Sequence, residues 1–366
     1  MQPDPFKLER YFAKYEFNVK YLLSSSDCDG FSLDYVLNSA IQGELDLWNN
    51  LTLGYTESTG HPLLRKAISL HYNTISEDEV FVLSPGEASF ILMQTVLQPG
   101  DEVVCMRPAY QSLYQVAVNM GCKLLFWEPN DKMEYDVEDL AGLVTGKTKL
   151  VIVNFPHNPT GYYPSKDELN RIIDIVSRYY TLLFSDEMYH KLVHNPEKLN
   201  DSLVDLYPNT ISLWGTAKSF GLAGLRTGWV VSHNSALLTK MQSYRDYLSI
   251  CNSAPSEILT MIALNNSENF IEVNLEKIRR NKKTFADFVS RHPSFFPDYK
   301  ETSAGSTAFV RINAGIPALD YAEKLVTQTG IMLVPSEMFE YGSSHLRIGL
   351  GRANMPDALA AWEVTF

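Results

Sequence analysis

Between residues 80 and 214 the chain repeats one pattern: a short, nearly unbroken apolar run followed by a longer amphipathic stretch. The runs are Val80-Phe81-Val82-Leu83, Glu102-Val103-Val104-Cys105-Met106, Lys123-Leu124-Leu125-Phe126-Trp127, Leu150-Val151-Ile152-Val153-Asn154, Thr181-Leu182-Leu183-Phe184 and Thr210-Ile211-Ser212-Leu213-Trp214. Strands apolar on both faces need cover on both faces, and long connections between them suit parallel pairing. The pattern predicts an α/β fold with a largely parallel sheet between helices. Residues 87–97, stopped by Pro99-Gly100, and residues 166–180, started after Pro164-Ser165, read as two of those helices. Ligands of such sheets bind beyond the carboxyl ends of the strands.

After Pro255 the texture changes. Residues 256–292 carry helical spacing and many charges, and a shorter α+β region follows, with strands at 307–312 and 345–349. The first forty or so residues show no strand series and are expected to join that second unit. The expected division is a large domain over 46–255 and a smaller, discontinuous one from 1–45 and 256–366, joined by a long helix. A chain of 366 residues is long enough for both. The net charge of −12 is spread along the sequence and argues against nucleic acid as a partner. No apolar run approaches the roughly 20 residues that span a bilayer, and the polar N-terminal segment does not read as a signal peptide. Cys28, Cys105, Cys122 and Cys251 are scattered without metal spacing, and Cys105 and Cys122 read as buried thiols. A reducing cytoplasm is the expected location.

The chemistry gathers just after the strands. Lys218 lies in Thr216-Ala217-Lys218-Ser219-Phe220-Gly221-Leu222-Ala223-Gly224-Leu225-Arg226, an apolar, small-residue setting that is odd for a solvated charge. A neutral lysine amine there could form a Schiff base with an aldehyde. Asp186 follows an apolar run, and a carboxylate at the end of a buried strand needs a partner, such as a pyridinium nitrogen. A helix N-cap is the plainer role for such an aspartate, and Glu187 is adjacent. Asn158, in Asn154-Phe155-Pro156-His157-Asn158-Pro159-Thr160-Gly161, and Tyr189 are candidate donors to a ring hydroxyl. Arg226 and the helix opening at Ser84-Pro85-Gly86-Glu87-Ala88 offer a cation and free N–H groups to a phosphate. Arg347 sits among apolar residues and suits an α-carboxylate; Arg352 is its rival, with an exposed or structural role as the simpler reading. Together these are the groups that a pyridoxal 5′-phosphate (PLP) enzyme needs.

The motifs resemble those of fold-type I PLP enzymes, the class I/II aminotransferases of the aspartate aminotransferase superfamily. They occur in order from Gly54-Tyr55 through Gly86, Pro108-Ala109-Tyr110, Asn158, Asp186 with Tyr189 and Lys218 with Arg226 to Arg347. The stretch from Arg347 to Pro356 also resembles a branch that includes capreomycidine synthase-like enzymes. The resemblance implies a mainly parallel seven-stranded sheet in the large domain and a smaller α+β domain. It implies that Lys218 forms the cofactor Schiff base, Asp186 pairs with the pyridine nitrogen, and Tyr189 and Asn158 bond the ring hydroxyl. Tyr110 would stack on the ring, Arg226 with the amides of Glu87 and Ala88 would take the phosphate, and Gly86 would be a further cofactor-binding residue. Arg347 and Asn158 would hold the substrate carboxylate, and Tyr55 would reach the site of a second subunit in a homodimer. The implied activity is transfer of an amino group from an L-amino acid to a 2-oxo acid through pyridoxamine phosphate, with a PLP-dependent lyase or cyclase as the alternative.

The chain departs from the family pattern at Gly215 and Ala217, where hydroxyl residues are usual. Thr216 or Ser212 is expected to stand in. No arginine matches the one that dicarboxylate-specific members use for a distal carboxylate; Arg245 is near but out of pattern. Tyr21, Leu22, Tyr247 and Asn252 are candidates for the substrate-pocket walls.

Overall fold

The computed structural model describes residues 4–366. A seven-stranded sheet is built from β1 (Val80–Leu83), β2 (Glu102–Met106), β3 (Lys123–Trp127), β4 (Thr148–Asn154), β5 (Leu182–Asp186), β6 (Thr210–Gly215) and β7 (Gly228–Val231). Its order is β1-β7-β6-β5-β4-β2-β3. Only β7 runs against the rest, antiparallel to both β1 and β6. The apolar pattern marks the first six strands. β7 escapes it because Gly228-Trp229-Val230-Val231 is four residues long and follows a glycine-rich turn.

Five helices bear on the site: α1 (Lys7–Tyr15), α2 (Pro85–Val96), α3 (Lys166–Ser177), α4 (Ala254–Asn265) and α5 (Ser267–Arg291). α2 starts with Pro85, whose missing N–H costs nothing in the first turn. α3 opens with a capping box: Ser165 Oγ accepts from the Glu168 N–H, and the Glu168 carboxylate accepts from the Ser165 N–H. It ends at Ser177, earlier than the expected 180, since Tyr180 takes a left-handed backbone (φ 51°). The helical stretch after Pro255 is two helices, broken at Asn266. α5, with 25 residues, runs about 37 Å.

A second sheet has the antiparallel order β9-β10-β8, with β8 at Thr307–Arg311, β9 at Val334–Pro335 and β10 at His345–Gly349. The N-terminal region does hold one short strand, Tyr21–Leu22, paired in parallel with Ile331–Met332. This pairing leads residues 23–29 along the exit of β10. Gly349 donates its N–H to the Leu23 carbonyl, and Asp29 donates to that of Gly351. The approach is so close that a Cβ at Gly349 or Gly351 would collide with the backbone of Ser25 or of Asp27 and Cys28. α5 stitches this region to the main sheet. Asn274 Nδ2 donates to the Ser219 carbonyl at 3.0 Å, and Asn281 Nδ2 donates to the carbonyls of Leu350 and Arg352 at 2.8 and 2.7 Å.

Trp214 and Trp229 face each other across β6 and β7, with ring centroids 5.3 Å apart. Their indole N–H groups donate to Ser219 Oγ and the Tyr72 hydroxyl, so neither buries an unpaired donor. Cys105 is buried as expected. Cys122 is only half-buried, because it precedes β3 at the sheet edge. Among the described residues no helix is long and apolar enough to cross a membrane, and no cluster of metal-ligating side chains occurs.

Replacing Asn281 with leucine, which has a similar volume but no donor, leaves the buried Leu350 carbonyl unpaired and takes one of two donors from the Arg352 carbonyl, which keeps the Met355 N–H. We expect Asn281→Leu to cost about 2 kcal/mol or more, read as a lower urea midpoint at unchanged slope.

Candidate active site

A cavity of about 440 Å³ opens beyond the carboxyl ends of β4, β5 and β6. It gathers Lys218, Asp186, Tyr189, Asn158, Tyr110, Arg347, Gly86 and Arg226 from positions up to 261 residues apart. Three expected residues do not line it: Glu87, Ala88 and Tyr55.

Asp186 ends β5 and is buried. Its Oδ1 accepts from the Met188 N–H at 3.1 Å. Burial raises its pKa to about 7, and the Glu187 charge adds to the rise; the Met188 bond and Lys218 pull it down. The carboxylate therefore lacks a full counterion, as a group awaiting a cationic partner does. Glu187 is separated from this task by its surroundings. It accepts from the hydroxyls of Ser185, Ser202 and Ser212 and from the Leu203 N–H, all within 3.0 Å, away from the cavity.

Lys218 Nζ donates to Ser26 Oγ at 2.8 Å, and among the described residues no carboxylate pairs with it. Arg347, on β10, is only 1% exposed. Its Nε and Nη2 donate to the Ser24 carbonyl and its Nη1 to Asn158 Oδ1 at 3.1 Å, yet no carboxylate neutralises it among the described residues. Burial lowers its pKa, as expected for an unpaired guanidinium. Asn158 is fixed in turn by a chain of bonds: its N–H donates to Asn154 Oδ1, and Asn154 Nδ2 donates to the Asp186 carbonyl. Tyr110 packs on Phe6 and donates its hydroxyl to Glu9. The Tyr189 ring is buried, and its hydroxyl bonds no described residue.

At the opposite end, α2 points its N-terminus at the cavity. Pro85 has no N–H, the Ala88 N–H is taken by the Ser84 carbonyl, and the amides of Gly86 and Glu87 have no partner among the described residues. Ala88 is thus removed from the expected anion donors. A Cβ at Gly86 would meet nothing within 4 Å, so its absence opens a cradle at the helix end. Arg226, in a left-handed backbone (φ 55°), lines the same end without a carboxylate partner among the described residues. The Glu87 side chain turns away to accept from Ser249.

The missing hydroxyl at position 215 has a steric cause. Gly215 crosses Gly228, and a Cβ there would sit 2.9 Å from Gly228 Cα and 3.4 Å from the Pro85 ring. Neither expected substitute faces the cavity: Thr216 Oγ1 donates to the Leu222 and Thr227 carbonyls, and Ser212 Oγ donates to Glu187. Ser89, one turn into α2, lines the cavity instead. The wall candidates Tyr21, Leu22, Tyr247 and Asn252 lie outside it. Tyr21 and Leu22 are consumed by strand pairing, Tyr247 is 90% exposed, and Asn252 bonds Glu257 and the Val82 carbonyl. Arg245 is structural, donating to the carbonyls of Ser58 and Val82, and Arg352 is held by Asp27. Sequence reasoning missed the actual wall. Glu9, Phe12 and Glu16 of the α1 region and Ser25, Ser26 and Asp27 close the cavity. Their 9, 12, 16 spacing marks one helix face, but nothing in it tells which cavity that face covers.

These residues fit PLP. The cradle at Gly86 with Arg226 suits a dianion, buried Asp186 suits a protonated ring nitrogen, and Lys218 and Arg347 lie between. The family model for class I and II aminotransferases matches residues 18–361. The chain belongs to that family. It is 29% identical to capreomycidine synthase of Streptomyces vinaceus, over 97% of this chain and 92% of that one. Aspartate aminotransferase of Sulfolobus acidocaldarius is 26% identical over 78% of this chain and 74% of its own length. The solved structure of the PLP-dependent cyclase OrfR superposes with a TM-score of 0.90 at 26% identity, covering 100% of this chain and 97% of that one.

Asp186 gives a pH signature without any cofactor. Its pKa of about 7 exceeds the usual 3.9 or so of an unfolded aspartate. Between those values the folded state keeps a proton that the unfolded state releases, so stability falls as pH rises through the window. We expect cofactor-free Asp186→Asn to be more stable than the parent at pH 8 by a few kcal/mol, since a tenfold change in proton affinity is worth about 1.4 kcal/mol. The gap should close near pH 4 in thermal unfolding. Separately, Gly215→Ser should lose about 1–3 kcal/mol to overpacking without tightening PLP, by melting and cofactor titration.

Proposed function

We propose that this protein is a PLP-dependent enzyme that removes the Cα proton of an L-amino acid and transfers its amino group to a 2-oxo acid. PLP is the cofactor. The observation that carries the reading is one cavity holding a lysine amine, a buried carboxylate without its counterion and a buried guanidinium without an anion. When bound, PLP supplies an aldehyde that exchanges amines and a ring that takes up electrons from the carbon beside the amino nitrogen.

The chain's own groups do the rest. Asp186 keeps a proton on the ring nitrogen through a charge-assisted bond. The Gly86 and Glu87 amides and Arg226 hold the phosphate. Among the described residues Asn158 Nδ2 and the Tyr189 hydroxyl have no partner and would donate to the ring oxygen, and Tyr110 would pack on the ring face. Arg347 grips the substrate carboxylate, and that grip turns the Cα–H bond toward Lys218. With the cofactor bound, Lys218 Nζ would take up that proton and hold it beside the site, help worth roughly 10²–10⁴-fold. α1 and residues 25–27 form one wall of the cavity.

A homodimer belongs to the same proposal. Phe17, Leu53, Tyr55 and Tyr247 are 85–90% exposed, a cost in water that a second subunit would relieve, and Tyr55 would then reach that subunit's site. The division into a 46–255 domain and a 1–45 plus 256–366 domain is likewise proposed, with α5 as the connection.

A second reading ends differently after the same proton removal: loss of a β-substituent or ring closure. The near full-length similarity to capreomycidine synthase and to a PLP-dependent cyclase favours it. One experiment separates the two. Single amino acids are added to the PLP-loaded protein without any 2-oxo acid, and the visible absorption and products are followed. Amino transfer predicts bleaching with one equivalent of 2-oxo acid released. A cyclised or eliminated product with unbleached cofactor assigns the second reading, and Lys218→Ala should lose both the lysine–PLP absorption and turnover. Absence of that absorption from the parent protein with added PLP would overturn both.

A further inference from the structure

The charges facing the cavity exceed what the proposed chemistry uses. Lys218, Arg226 and Arg347 face Glu9, Glu16, Asp27 and Asp186 across it. On the reading above, Asp186 serves the ring nitrogen, Arg226 the phosphate and Arg347 the α-carboxylate, while Lys218 moves the proton. Asp27 is already held by Arg352 at 2.9 Å. Two carboxylates remain. Glu9 accepts only from the neutral Tyr110 hydroxyl, and the Glu16 carboxylate has no hydrogen-bond or ionic partner among the described residues. Burial raises the Glu16 pKa, and the charges of Asp27 and Glu9 raise it further; Arg352 and Lys218 pull it down without overcoming the rise, which is the mark of a carboxylate that no cation fully compensates.

Position gives this surplus a direction. Glu9, Phe12 and Glu16 lie three and four residues apart on the cavity face of the α1 segment. The guanidinium centre of Arg347 is 5.7 Å from the Phe12 ring. The buried, anion-free arginine thus marks where a ligand carboxylate enters, and the two glutamates stand about one helical turn either side of Phe12. Between them the Phe12 ring offers an apolar surface to a methylene stem. A ligand that satisfies every group is anionic at one end, apolar in the middle and cationic at the other. A dicarboxylate would bring a second negative charge against two unpaired carboxylates, at a cost that rises in a half-buried site.

We propose that Glu16 and Glu9 select an amino acid whose side chain ends in a cation, of the arginine, ornithine or lysine class, with Phe12 packing on its stem. This rests on the reading that Arg347 holds the α-carboxylate. The two carboxylates act on substrate choice and not on proton transfer, so they set relative affinity among amino acids.

L-arginine and L-citrulline give the cleanest comparison, because they match in length and differ in the charge of the end group. Both are titrated calorimetrically into the PLP-saturated protein without a 2-oxo acid, and again into Lys218→Ala, where amine exchange with the lysine is removed. Arginine should bind at least about tenfold more tightly than citrulline, the scale of one charge-assisted hydrogen bond. Glu16→Gln should shrink that ratio to about threefold or less by weakening arginine alone, and Glu9→Gln should shrink it in the same direction. A ratio near one in the parent, or a ratio unchanged in both variants, overturns the proposal. Failure of the enzyme reading is read separately, as absence of the lysine–PLP absorption, and the arginine-to-citrulline ratio remains measurable in that event.

Discussion

Two buried ionisable groups without counterions among the described residues govern this molecule. Asp186 ends a central strand with its carboxylate held near neutrality by desolvation, and Arg347 sits 1% exposed with carbonyl oxygens as its main partners. An unpaired buried ion is among the most costly features a fold can carry. The surrounding structure commits much of its polar bonding to holding the two in place. The Asn154–Asn158 chain runs from the Asp186 carbonyl to the Arg347 guanidinium. The cavity between them is the space in which a ligand restores the balance, so binding and the relief of this electrostatic cost are one event.

The neighbours of Asp186 show how such tension is confined. Glu187 is equally buried but wrapped by three hydroxyls and an amide. Adjacent carboxylates on one strand end thus have opposite fates: one is satisfied from within, the other left for a partner. Spacing and composition do not separate them, because the serines that satisfy Glu187 arrive from three separate places in the chain; only the family resemblance singles out Asp186.

The main sheet was legible because its strands are apolar on both faces, a pattern that has no other economical solution. β7 was not, being short and set behind glycines. The motif residues announced themselves by unusual company, as Lys218 did among small apolar neighbours and Arg347 did inside a strand. What stayed hidden was every contact made by the chain's first thirty residues. Glu9, Phe12, Glu16 and Ser26 meet the site because Leu8 and Tyr11 pack against Phe309, Val334 and Phe339, and because Tyr21–Leu22 pairs with Ile331–Met332, all some 300 positions away. Two-residue strands leave no periodic trace. The same limit explains Gly215: its lack of a side chain reads as a departure from a family pattern, and only the crossing with Gly228 explains it.

α5 sets a length as well as a connection. Its Asn274 grips the loop that carries Lys218, and its Asn281 grips the chain leaving β10, which carries Arg347. Both anchors sit seven residues apart on one rod, two turns at about 5.4 Å each. The helix therefore works as a gauge block between Lys218 and Arg347, the proposed proton acceptor and the proposed carboxylate clamp. On that proposal the two cannot slide apart to admit substrates of differing length, so a change of choice falls to the other walls of the cavity, α1 and the serine-rich segment after it among them.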